Sequence, residues 1–459
     1  MFFRRFLVVG GSLITCLSLL FSSAGAQDIS INQYSSMERI SAGGESVGGG
    51  STASVSSDGR YVVFESTASD LLPDTIDDSH DVFVRDRQSG VFERASVSNS
   101  EQVTYNVGEY TSPPVISATG RHIAFVSQSS RLISSGDNNG MPDVFVRDRN
   151  GYTTLISVTA DGTSGNGASF NPAISASGRY VAFQSFATNL TDNDQNRSID
   201  IYLRDRQEAE TELISITDEG LQGDNAAEYG YSSVAVSDDG RYVAFSYDRL
   251  PIPGHPTNGG PYVYVRDRQE NRIRMIAQGT FPALSGDGRY LVFLSNDSLV
   301  IEDQNNGIDV YLYDQQLVHF ERISVTNGNG EVPDQWISNA PDISSDGRYV
   351  VFQSSYDGLA GNDSNGFTDI YLRDRFLHRT LLISGGVNGT AGNGDSYQPA
   401  INDEGTLVTF TSWSSDLVLN DTNDRVDVFA MNLAELGVLP GQVVLPRMFL
   451  PVIGGRTSP

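Results

Sequence analysis

No lysine occurs among these 459 residues, so all 30 basic side chains are arginines. Cysteine is present once, at Cys16, tryptophan twice and histidine five times. With no second cysteine, the chain has no internal disulfide and no cysteine-based zinc site. The histidines, His80, His122, His255, His319 and His378, show no metal-ligand spacing, which argues against a histidine metal centre. Positive charge is scarce as well: 57 acidic residues give a formal net charge of −27. Such a balance excludes nucleic acid as a partner, because that binding rests on neutralising phosphates.

Long apolar runs are nearly missing. The one example, Phe6 to Phe21, follows Arg4 and Arg5 and precedes "SSAGA", which ends at Ala26. Charged head, apolar middle and small-residue end form the pattern of a secretory signal over 1–26, with a mature chain starting near Gln27. The C-terminal stretch 435–459 has apolar patches but is interrupted by prolines and Arg447. It does not read as a span, so no transmembrane segment is expected in the mature chain.

What the sequence has in abundance is repetition. "SSDGRYVVFES" at 56–66 returns as "SATGRHIAFVS", "SASGRYVAFQS", "SDDGRYVAFSY", "SGDGRYLVFLS", "SSDGRYVVFQS" and "NDEGTLVTFTS", seven copies in all. Their glycines, from Gly59 to Gly405, are spaced by 48 to 62 residues. Each unit reads as four short strands: a "PAIS"-like segment, a glycine turn, the apolar "RYVAF", then "DIYLRDR" and "TELISIT". No helical period intervenes. Four-stranded antiparallel units repeated in this way predict an all-β, seven-bladed β-propeller over 37–434, after a lead-in at 27–36. The seventh unit lacks a fourth strand, while "MERIS" at 37–41 matches the fourth-strand text "FERIS" at 320–324. The N-terminal strand is therefore expected to complete the last blade, closing the ring and removing both edges.

The motifs "SSDGRYVVF" and "DVFVRDR" resemble the TolB-type, WD-repeat-like propeller repeats of exported bacterial proteins, over residues 37–432. The resemblance implies the fold. Neither the N-terminal domain that accompanies TolB-type propellers nor a G-x-S-x-G nucleophile motif is found, so it implies no activity.

Candidate chemistry collects in the loops between second and third strands. Five units carry D-x-N-x-x-x-D: Asp137/Asn139/Asp143, Asp194/Asn196/Asp200, Asp303/Asn305/Asp309, Asp363/Asn365/Asp369 and Asp421/Asn423/Asp427. Alternating oxygen ligands suit calcium, and the third unit adds Asp192 and Ser198. The competing reading is a hairpin lock of Asx-turns, favoured by the absence of a glutamate at the twelfth position, where Leu203 stands in the third unit. The paired arginines, such as Arg85/Arg87 and Arg60, read as bidentate clamps within and between blades.

For the central channel, alternation around Val55 and its counterparts predicts a lining of Ser56-type and Ser54-type positions, with Asp342 as the sole carboxylate. A paired-carboxylate glycosidase would need two. The fourth unit departs from the others at "LPIPGHPTNGGP", offering His255 and Tyr262 as ligand contacts. Tyr110, Tyr229, Tyr231 and Trp336 lie in inter-blade loops, where large amphipathic rings suit a sugar or a protein. The expected function is an exported, monomeric, non-enzymatic scaffold that binds extracellular protein or glycan through its acidic loop face, with calcium as candidate ligand. The alternative is a carbohydrate-active hydrolase or lyase centred on Asp342 or the fourth-unit notch.

Overall fold

The computed structural model describes residues 37–41, 50–68, 71–72, 80–100, 112–223, 233–254, 260–330, 332–333 and 338–436. The signal-like segment 1–26, the lead-in 27–36 and most of the tail lie outside these residues. Among the described residues the strands form seven four-stranded antiparallel sheets. Blade 3 is representative, with strands Ser169–Ile174, Tyr180–Ser185, Asp200–Asp205 and Glu210–Leu213 pairing in chain order. In blade 7 the order is Ser396–Ile401, Leu407–Ser412, Asp427–Asn432 and then Met37–Arg39. Met37 faces Met431 and Arg39 faces Phe429. The expected closure by the N-terminal strand is what the structure shows.

Continuous apolar runs in the second strands are buried on both faces, as Val181, Ala182 and Phe183 illustrate with no exposure. Core clusters join neighbouring blades: Ala124 and Val126 of blade 2 pack with Val181 and Phe183 of blade 3. A fully buried phenylalanine of this kind contributes about 2–3 kcal/mol.

Two devices set the spacing between blades. In six of the seven blades the turn glycine receives the aromatic ring of the blade before it; a Cβ on Gly240 would stand 2.0 Å from Tyr180 Cδ2. The second arginine of the RDR motif then grips that same preceding blade. Arg149 donates to both carboxylate oxygens of Glu93 at 2.6 and 2.9 Å and lies 3.9 Å from the Tyr61 ring centroid. Arg87 with Glu38, Arg268 with Glu212 and Arg375 with Glu321 repeat the arrangement. The arginine of the G-R pair works within its own blade, as Arg60 does on Asp86. A planar guanidinium can ion-pair, accept a ring face and reach the Gly120 carbonyl at once, which a lysine ammonium cannot match.

Candidate functional site

Each acidic loop leads into a buried residue at the start of a third strand. The first residue of the third strand is aspartate in six blades: Asp81, Asp143, Asp200, Asp309, Asp369 and Asp427, each at most 1% exposed. A serine at the end of the fourth strand donates to it, as Ser157 does to Asp143 at 2.5 Å, and the same hydroxyl accepts the Val144 amide at 3.1 Å. The loop asparagine supplies the second lock. Asn139 Nδ2 donates to Asp143 at 2.8 Å and to the Gly165 carbonyl at 2.9 Å, while its Oδ1 accepts the Met141 amide. Asn305 and Asn365 make the same three contacts. Asn423 donates to Asp427, and Asn196 donates to Gly223. Where all three contacts are made, in blades 2, 5 and 6, they are Asx-turns that fasten the hairpin to the inter-blade connection.

The leading aspartate of the motif has its own partner set. Asp194, Asp303 and Asp363 accept from Tyr202, Tyr311 and Tyr371, the third residues of the third strands. Asp303 also pairs with Arg322 at 3.2 Å, and Asp421 with Arg39 at 2.5 Å. In blade 3, where the ligand set looked richest, Asp200 accepts from Ser215 and Tyr247, Asn196 accepts the Ser198 amide, and Asp192 is exposed. Blade 4 has no aspartate here. Tyr262 is 6% exposed within the blade core, and its strand pairs onward to Gln278 because no Asp–Ser lock ends the ladder. Among the described residues, no group of three histidine, cysteine, aspartate or glutamate side chains is placed to hold a metal ion.

The channel differs from expectation in two respects. Ser56 and its counterparts are buried, at most 1% exposed, and do not line it. Ser56 is the first residue of the hairpin turn; its hydroxyl donates to Asp58 and accepts the Tyr61 amide, which turns it into the blade. The residue after it takes the lining position. Backbone hydrogen bonds run from turn to turn there: Asp238 to Gly286, Gly286 to Ser345, and Ser345 to Asp403. Asn402 Nδ2 closes the seam to Ser57 at 2.7 Å. Asp342 is therefore not the sole carboxylate, since Asp238 and Asp403 stand at the same mouth. Asp342 bridges blades, accepting the Ile343 and Ile401 amides at 2.9 Å. Burial, and then the charge of Asp403, push it up to about 6. Burial and the charge of Asp238 likewise raise Asp403 to about 6.

On the loop face the structure draws attention to a residue that sequence reasoning passed over. Trp413 is 56% exposed beside a 240 Å³ pocket lined by Asn393, Ser415, Asp421, Asn423, Asp424 and Arg425. Aligned on the repeat, its position holds Thr67, Gln128, Phe186, Asp248, Asn296 and Ser355 elsewhere, and this contrast was the available signal. Ile301 and Leu419, in second-to-third loops, are also exposed. A 450 Å³ groove follows the outer wall between blades 3 and 4, with Glu210, Glu212, Arg266 and Arg268 along it. His255, Trp336, Tyr110, Tyr229 and Tyr231 lie outside the described residues.

No family model matches the sequence, and no curated protein matches it. Solved structures do. An oligogalacturonate lyase in complex with manganese is similar over 88% of this chain and 94% of its own, with 11% identity and a TM-score of 0.52. The β-propeller domain of the Trilobed protease from Pyrococcus furiosus is similar over 84% and 95%, with 12% identity and a TM-score of 0.51. TolB from Acinetobacter baumannii is similar over 77% and 76%, with 14% identity and a TM-score of 0.38. At these identities the likeness is one of fold. No helix among the described residues is long and apolar enough to cross a membrane.

Proposed function

We propose that this chain is an exported, non-enzymatic propeller scaffold that binds an extracellular partner protein through its loop-rich face, centred on Trp413. The carrying observation is the exposed Trp413 ring beside a pocket of amides, hydroxyls and the Arg425 and Asp424 charges. A large amphipathic ring within a polar rim is the composition of an interface hot spot. The repeated arginines and third-strand aspartates of the blades do not compete for this role: Arg149 is paired with Glu93, and Asp143 and Asp369 are held by Ser157 and Asn365. The test places a photo-crosslinking amino acid at Trp413 and, on the opposite face, at Leu317, in cells that make the protein. Adducts confined to position 413 support the reading. Equal labelling at both positions, or glycan-array binding lost in Trp413→Ala without protein adducts, would replace it with non-specific contact or a glycan ligand.

A second reading is favoured by the channel carboxylates. Asp342 and Asp403, both near 6, are suited to acid–base work on a carbohydrate, the class of substrate named for the oligogalacturonate lyase. Against it, a mouth of three carboxylates on a chain of net charge −27 repels a polyuronate. Product release from neutral or acidic oligosaccharides, abolished in Asp403→Asn, would establish it.

A further inference from the structure

One acidic loop differs from the rest in what neutralises it. In blade 5 a guanidinium nitrogen of Arg322 lies 3.2 Å from Asp303 and 3.8 Å from Asp309. In blade 7 a guanidinium nitrogen of Arg39 lies 2.5 Å from Asp421 and 3.7 Å from Asp427. The fold thus places a cation between the two carboxylates of the motif. Both arginines occupy one register position, opposite Tyr311 and Phe429. Blades 3 and 6 have leucine at this position, opposite Tyr202 and Tyr371, and there the tyrosine hydroxyl serves the leading aspartate. Blade 2 has neither device: its pair is Phe145 and Leu155.

The consequence is visible at Asp137. It is 7% exposed, and neither of its carboxylate oxygens has a hydrogen-bond partner. The Asn139 amide draws on it only from outside hydrogen-bond geometry. Asp143, six residues on and fully buried, feels the charge of Asp137. Two buried carboxylates whose charges are coupled, with no counter-charge beside them, are costly, and a cation shared by them removes that cost. We propose that the blade 2 loop binds a calcium ion between Asp137 and Asp143, at the position filled by the Arg322 and Arg39 guanidiniums in blades 5 and 7.

Room for it at Asp143 follows from those blades, where the equivalent carboxylate oxygen keeps its asparagine contact while facing the guanidinium. Calcium fits better than magnesium, because it tolerates irregular oxygen shells completed by water, whereas magnesium demands near-octahedral geometry. Two carboxylates make a weak site, with a dissociation constant on the order of 10⁻⁴ to 10⁻³ M. The site is independent of any partner at Trp413.

The test titrates calcium chloride into the chelator-stripped mature chain, read by calorimetry and by thermal unfolding. One site is expected, with a midpoint rise of roughly 2 °C at ten times the dissociation constant. Asp137→Asn should weaken binding at least tenfold. Leu155→Arg installs the blade 5 solution; it should abolish the calcium response while leaving the chelator-state midpoint at or above that of the parent. Leu155→Arg decides the matter alone should Asp137→Asn not fold. Absence of any response in the parent chain, as expected if a proton or water occupies the loop, overturns the proposal. So does an undiminished response in Asp137→Asn or in folded Leu155→Arg.

Discussion

Asp143 and Asp369 each accept a serine hydroxyl and an asparagine amide, yet burial still pushes both up to about 7. Asp200 rises to about 6 for the same first reason. These groups keep their protons in the fold at pH values where the unfolded chain, near 3.8, has released them. The folded state therefore binds more protons, and its advantage is complete below about 3.8 and lost as pH rises through about 7. Asp148 works the other way: Arg121 holds it down to about 2, so its contribution is present above 3.8 and lost as pH falls toward 2. Stability in chelator should accordingly fall from about pH 4 to about pH 7. Asp369→Asn, which mimics the protonated form, should flatten part of that slope. A midpoint that climbs over the same interval in the parent chain would show that these carboxylates ionise freely.

At the scale of the element, the hairpin turn joins adjacent blades as well as reversing the chain. Gly240 has φ +72°, and the space where its Cβ would be is taken by the Tyr180 ring. Gly90 has nearly the same φ, +73°, with nothing within 4 Å. Gly90→Ala should cost about 1 kcal/mol for the left-handed backbone alone. Gly240→Ala adds the overlap and should cost about 3 kcal/mol. Urea unfolding of the two variants separates backbone strain from blade contact, and equal losses would mean the ring simply moves aside. The turns themselves were legible in the sequence, because a glycine before arginine recurs in six of the seven units. What they touch was not legible, since Tyr180 is 60 residues away from Gly240. The inward turn of Ser56 was missed for a related reason. Strand alternation was carried into a residue that already belongs to the turn, where the hydroxyl is captured by Asp58 and the Tyr61 amide. Bulges in the innermost strands, with Thr52, Asn171, Phe281, Ala340 and Gln398 at positive φ, had no sequence signature because no glycine marks them.

Closure of the whole ring depends on the segment Met37 to Ser41, in which Glu38 pairs with Arg87 of blade 1. Met37 and Ile40 bury their side chains, Ser41 donates to Asp427, and Arg39 pairs with Asp421. A chain starting at Gly50 forfeits these and exposes the edge of the strand Asp427–Asn432. Two buried apolar side chains contribute about 2 kcal/mol each, so the loss should exceed about 4 kcal/mol. Limited proteolysis should then cut first in blade 7, and a truncated chain as resistant as the parent would refute closure by this strand.

Sequence alone determined the blade number, the strand order within each blade and the identity of the closing strand. These follow from local periodicity and from repetition, which each unit states for itself. It also contained the D-x-N-x-x-x-D loops, but not whether their oxygens face a metal or the protein. That choice was made in three dimensions, by which side chain the paired third and fourth strands bring to the aspartate. Arg322 and Arg39 supply a cation, Tyr202 and Tyr371 a hydroxyl, and Leu155 nothing. Charge compensation inside a protein depends on distance through space, and only the paired register of third and fourth strands sets that distance.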